Sequence, residues 1–123
     1  MKKTSGSAEE SHPSQFCALA YRAEDRSIDS SRNTVIVLLV LRNELGSLRF
    51  LIHPELRTIV QGEDLTYTEA LLQDFLRRAK QDPAALFKQI SSLGVGPFVT
   101  QEAGSSLSEY PFIQELSTQF IQI

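Results

Sequence analysis

Residues 33 to 53 read Asn33-Thr-Val-Ile-Val-Leu-Leu-Val-Leu-Arg42, then Asn43-Glu-Leu-Gly46, then Ser47-Leu-Arg-Phe-Leu-Ile-His53. This stretch holds the densest run of β-branched and large apolar residues in the chain, with polar residues and a glycine at its middle. Such a pattern predicts two antiparallel strands joined by a tight turn. Gly46 suits the left-handed conformation that often ends a turn of this kind, because it has no Cβ to clash. A four-residue loop, Asn43 to Gly46, pairs Arg42 with Ser47, Leu41 with Leu48, Leu39 with Phe50 and Val37 with Ile52. One face then carries Val35, Val37, Leu39, Leu41, Leu48, Phe50 and Ile52. All are apolar, so this face is expected beneath helices. A shift of one residue would put Arg49 and His53 on it.

The opposite face then carries Ile36, Leu38, Val40, Arg42, Ser47, Arg49, Leu51 and His53. A sheet face open to water alternates more cleanly than this. Something should cover Ile36, Leu38, Val40 and Leu51. The candidates are the chain's own N-terminal strand or C-terminal segment, a second subunit or partner, and a ligand. Ordinary core is the plain reading of the same residues.

Working outward, residues Met1 to Gln15 are rich in Ser, Glu and Lys with little to bury, and read as a disordered tail. Residues 16 to 123 are then one domain, long enough to bury a core without disulfides. Phe16 to Ala23 is a candidate first strand, with Cys17, Leu19 and Tyr21 on one side and Phe16, Ala18 and Ala20 on the other. The small alanines suit close approach of something overhead. Glu24 to Arg32 is a polar loop.

After the hairpin, Pro54 ends the strand, and Leu56 to Gln61 reads as a further strand broken by Gly62-Glu63-Asp64. A helix is expected from Thr66, with Thr66 and Glu69 as a capping box. Its apolar stripe is Tyr67, Leu71, Leu72, Phe75, Leu76 and Ala79, and Asp74 can pair with Arg77 and Arg78. Asp82-Pro83 starts a second helix, with Asp as N-cap and Pro at the first helical position. That helix buries Leu86, Phe87, Ile90 and Leu93, and Gly94 closes it. Gly96 to Thr100 is a short extended piece, and Gln101 to Ser108 a Gly/Ser loop. The final stretch, Tyr110 to Ile121, places Phe112, Ile113, Leu116 and Phe120 at helical spacing behind Pro111, with a strand reading open for Gln119 to Ile123. The expected fold is therefore α+β: an antiparallel sheet of three or four strands, a helix pair packed on one face, and a C-terminal helix.

The chemistry-bearing residues form no recognisable set, and no motif marks a family. A formal net charge of −3 argues against general nucleic-acid binding, which needs a basic stripe. The lone Cys17 cannot form an internal disulfide, so a reducing compartment is the default. The first ten residues have no apolar segment of a secretory signal, and the run Val35 to Leu41 is too short to span a bilayer, which leaves the cytoplasm as the expected location. Cys17 lies among apolar residues and reads as structural rather than nucleophilic. His53 with Glu55 as orienter is a candidate base, weighed against an ordinary exposed His at a strand end. Two histidines and one cysteine supply no metal set, and the acidic residues Glu63, Asp64 and Glu69 are explained by the helix dipole. Gly94-Val95-Gly96-Pro97 resembles a phosphate loop only superficially, since it follows a helix and Pro97 lacks an amide. After Lys88 there is no Lys or Arg, a depletion found at interface centres and also in buried segments.

The expected function is that of a non-enzymatic cytosolic accessory or adaptor protein. It would bind a protein partner or a second copy through Ile36, Leu38, Val40 and Leu51, rimmed by Arg42, Arg49 and His53, with no cofactor. The alternative is a small-molecule-binding or catalytic domain with a pocket between sheet and helices, using His53, Arg49 and Tyr67 or Tyr110.

Overall fold

A computed structural model of the chain describes residues 15–22, 34–92, 97–105 and 107–123. It is an α+β fold. Five strands form one antiparallel sheet: β1 (Gln15–Arg22), β2 (Thr34–Arg42), β3 (Leu48–Ile52), β4 (Phe98–Gly104) and β5 (Ile121–Gln122). Their order is β4-β1-β2-β3-β5, so the C-terminal third of the chain supplies both edges. Helices α1 (Leu56–Ile59), α2 (Glu63–Gln81) and α3 (Pro83–Ser92) lie on one face, and α4 (Pro111–Gln119) covers the other. The sheet thus has more strands than the expected three or four, and both of its faces are roofed by the chain itself. The expected tail lies outside the described residues apart from Gln15, the first residue of β1. The Glu24–Arg32 loop, Leu93 and the Gly94 cap also lie outside them.

The hairpin forms, but one residue out of the expected register. Arg42 faces Leu48, Val40 faces Phe50 and Leu38 faces Ile52. The turn explains the shift. The Asn43 side-chain oxygen accepts from the N–H groups of Leu45 and Ser47, each at 2.9 Å. The Asn43 N–H donates to the Ser47 carbonyl at 3.0 Å, which makes Asn43 and Ser47 the last rung of the ladder. Glu44, Leu45 and Gly46 form the loop, and Gly46 takes φ 87°, the left-handed residue that closes a turn of this odd length.

A second irregularity acts on β2. Leu19 pairs with Leu38 and Ala20 with Ile36, so Val37 is an extra residue in the strand. This β-bulge sends Val37 and Leu38 to the same side and Ile36 to the other. The helix-pair face therefore carries Cys17, Leu19, Tyr21, Val37, Leu38, Val40, Phe50 and Phe98. Helix residues Leu56, Phe75, Leu86, Phe87 and Ile90 pack against them. The α4 face carries Phe16, Ala18, Leu39, Leu41 and Leu51 under Ile113 and Phe120. β1 alternates between these two clusters as its sequence predicts, with Ala18 beneath α4.

The helices differ from expectation where local signals compete. Leu56 to Ile59 is one helical turn, not a strand: Leu56 N–H donates to the His53 carbonyl and Ile59 N–H to the Glu55 carbonyl. The ladder beyond β3 is taken by β5, so the segment has no strand to pair with. α2 starts at Glu63, a turn before the expected Thr66. Gly62 (φ 66°) serves as its N-cap without a side-chain bond, and Glu63 and Asp64 occupy the first turn, where the dipole favours them. Leu71, Leu72, Phe75, Leu76 and Ala79 face the core, but Tyr67 is exposed and Thr68 is buried in its place. The Thr68 hydroxyl donates to the Asp64 carbonyl at 2.6 Å. Asp74 pairs with Arg77 and Arg78. Desolvation works against its ionisation, but the hydrogen bonds and charges of both guanidiniums outweigh that and hold the carboxyl below its usual range. α3 is capped as its sequence predicts: Asp82 Oδ1 accepts from Ala85 N–H at 3.2 Å, with Pro83 at the first position.

β4 runs through Gln101 to Gly104, where a loop is expected. Its pairing with Phe16 leaves Gly104 under two rings: an added Cβ would stand 3.0 Å from both the Phe16 and the Tyr110 ring. Those rings meet edge to face at 5.5 Å. Gly104→Ala should therefore destabilise the fold by about 1–3 kcal/mol through overpacking. Urea unfolding midpoints read the loss. A stability equal to the wild type would mean that the two rings do not close over this backbone.

Candidate interaction groove

The residues read as one interface face are divided by the structure. Leu38 and Val40, 4% and 0% exposed, lie in the core under α2 and α3. Arg42 stands on that same side, its guanidinium 5.8 Å from the Phe87 ring centre and Nη1 donating to Gln15 Oε1 at 3.1 Å. Ile36 and Leu51 lie on the opposite face, packed in the cluster under α4. Arg49 stands opposite Leu41 on that face and is exposed. Arg42 and Arg49 are therefore not neighbours on one face. The slipped register and the bulge at Val37 together cause the division.

His53 sits at the corner after β3. Its N–H donates to the Val37 carbonyl at 2.9 Å, and its Nδ1 accepts from the main-chain N–H of Glu55 at 2.9 Å. The link to Glu55 therefore runs through the backbone and shapes the turn. The imidazole lies 5.3 Å from the Phe120 ring. Of the other residues considered with it, the Tyr110 ring packs on Phe16, while Tyr67 is exposed on α2. Among the described residues, no three His, Cys, Asp or Glu side chains converge as a metal would need. Asp64 accepts a 2.5 Å hydrogen bond from the Tyr21 hydroxyl, tying β1 to the first turn of α2. The space between sheet and helices is an apolar void of about 10 Å³, lined by residues such as Leu19, Leu38 and Leu71. That is far below the several hundred Å³ of ordinary ligand pockets.

Cys17 is fully buried, and burial pushes its thiol up to about 12. An unfolded chain ionises this thiol near its ordinary value of about 9. The folded value is the higher, so the stability Cys17 contributes is present below that pH and is lost as pH rises from about 9 toward about 12. The expected slope is about 1.4 kcal/mol per pH unit. Urea midpoints of the wild type and Cys17→Ala between about pH 8 and about pH 10 isolate it, the variant having the flatter profile.

A wide, open concavity with mixed chemistry lies at the β5 edge. It encloses about 760 Å³ between β5, the corner from His53 to Thr58, and α2. Ile52, Leu56, Leu72 and Leu76 form its floor. Glu69, Leu72, Gln73 and Leu76 reach it from one stripe of α2, at the spacing that puts helix residues on one side. Ile121 and Ile123 form the opposite lip and are 51% and 42% exposed. Arg57 and Glu69 pair across one part of the rim at 3.3 Å. Both are substantially exposed, so the pair contributes little stability.

Of these residues, the sequence singles out only polar ones for a site, His53 with Glu55 as its orienter among them. The signal for the others was present: Ile121-Gln122-Ile123 alternates in a stretch without a single cation. Its meaning depended on where α2 stands. No protein-family model, curated protein or solved structure matches the chain. No helix among the described residues is long and apolar enough to cross a membrane.

Proposed function

We propose that this chain is a non-enzymatic accessory protein that binds another protein through the groove between β5 and α2. The observation that carries this reading is the pair Ile121 and Ile123: two half-exposed isoleucines facing the apolar floor of an open concavity. Exposed apolar side chains are normal when scattered, but gathered around a groove with a polar rim they mark docking surfaces. The rim of His53, Arg57, Glu69 and Gln73 supplies the polar margin typical of such sites.

Pairing of a second copy along the other edge is opposed by the fold. β4 carries an extra residue, Gln101, between its pairs with Ala18 and Leu19, and carries the charge of Glu102. Bulges and charges are devices that keep edge strands from pairing.

The expected effect is the loss of partner protein from native extract when immobilised Ile121→Asp or Leu76→Asp replaces the wild type. Phe112→Asp, on the exposed side of α4, should retain it. Light scattering across a concentration series should give the mass of a monomer for all three. An identical captured set from every variant would remove the groove as the docking site, and a stable wild-type dimer would assign it to self-association.

A further inference from the structure

The backbone of β5 specifies what kind of segment the groove takes, given the docking role proposed above. The Ile123 N–H donates to the Phe50 carbonyl at 3.0 Å, and β5 pairs Ile121 with Ile52 and Gln122 with Leu51. In an antiparallel ladder, hydrogen-bonded and non-bonded pairs alternate. Phe50 with Ile123 and Ile52 with Ile121 are therefore the bonded rungs, and Leu51 with Gln122 is the open one. The other side of β3 agrees. His53 donates to Val37 on the β2 ladder, so the alternate residue Leu51 also bonds toward β2. The N–H and C=O of Gln122 consequently point away from β3, on the open edge of the sheet, between the two isoleucines that line the groove.

We infer that the groove binds an extended peptide segment as an antiparallel sixth strand, in which one residue exchanges both backbone hydrogen bonds with Gln122. The two residues flanking that central one then project their side chains to the same side as Ile121 and Ile123, over Leu72 and Leu76. The recognised pattern is apolar, any residue, apolar. Main-chain bonds supply affinity in strand addition, and alternate side chains supply specificity. A helical ligand would instead present apolar residues three and four apart and would leave the Gln122 backbone unpaired.

A heptapeptide library displayed on phage, selected on the full chain and counter-selected on Ile121→Asp and Ile123→Asp, tests this. Both variants alter half-exposed side chains, and urea midpoints near the wild-type value establish that they fold. Enriched sequences should carry two apolar residues two positions apart. N-methylation of the central residue of a selected peptide should weaken binding about tenfold or more, by removing its bond to Gln122. Methylation of either flanking amide, which points away from β5, should leave affinity unchanged. Sensitivity at the flanking amides, or enrichment at spacings of three and four, would overturn strand pairing while leaving the groove a docking site. Enrichment that does not distinguish the wild type from both variants would overturn the docking role as well.

Discussion

Val40→Asp should abolish folding, or lower stability by about 4 kcal/mol or more. Val40 has no exposed surface, and it stands between Cys17 on β1 and Phe50 on β3 beneath the helix pair. A carboxylate there would lie in a cluster dominated by Leu, Val, Phe and Ile side chains. Ionised or neutral, it loses its hydration. Total stabilities of domains are about 5–15 kcal/mol, so one such change removes a large share. The matching control is Leu45→Asp at the hairpin tip, where Leu45 is 82% exposed. That change should stay within about 0.5 kcal/mol of the wild type. Circular dichroism during urea unfolding measures both. A folded Val40→Asp protein with an altered association state would return Leu38 and Val40 to the role of an interface.

Ile113→Ala and Phe112→Ala, adjacent on α4, should differ widely. Ile113 is fully buried against Phe16, Leu39 and Leu51, so its truncation should cost about 2–5 kcal/mol. Phe112 is 48% exposed, and its loss should cost under about 1 kcal/mol. The contrast reports directly on whether α4 roofs the second sheet face. Equal small effects would mean that α4 is detached in solution and that the Ile36 and Leu51 face is open. Equal large effects would mean that Phe112 also has a buried neighbour.

Much of the fold was legible because several segments have only one way to satisfy their own local chemistry. Asp82-Pro83 caps α3, the alternation of Phe16 to Tyr21 serves two cores at once, and Pro111 opens α4. Leu71, Leu72, Phe75, Leu76 and Ala79 point inward wherever α2 is placed, since helical spacing alone aligns them.

The hairpin was different. Hydrophobic pattern selects a register only when one face is apolar and the other polar. Here both faces are largely apolar, so a slip of one residue exchanges one apolar set for another at little cost. The choice fell to the Asn43 side chain, which closes the turn, and to the bulge at Val37. The single turn at Leu56 to Ile59 depends in the same way on β5 having claimed the neighbouring place in the sheet.

The groove lay furthest from what a linear reading can reach. His53 and Leu72 belong to the middle of the chain, and Ile121 and Ile123 to its last stretch. The amino-acid order sets the α+β class, the strand alternation and the helix caps, because these depend on neighbours within a few residues. Tertiary packing decides which sheet face each residue of the hairpin serves. By bringing β5 beside α2, it also makes a groove from isoleucines and leucines that read individually as ordinary core.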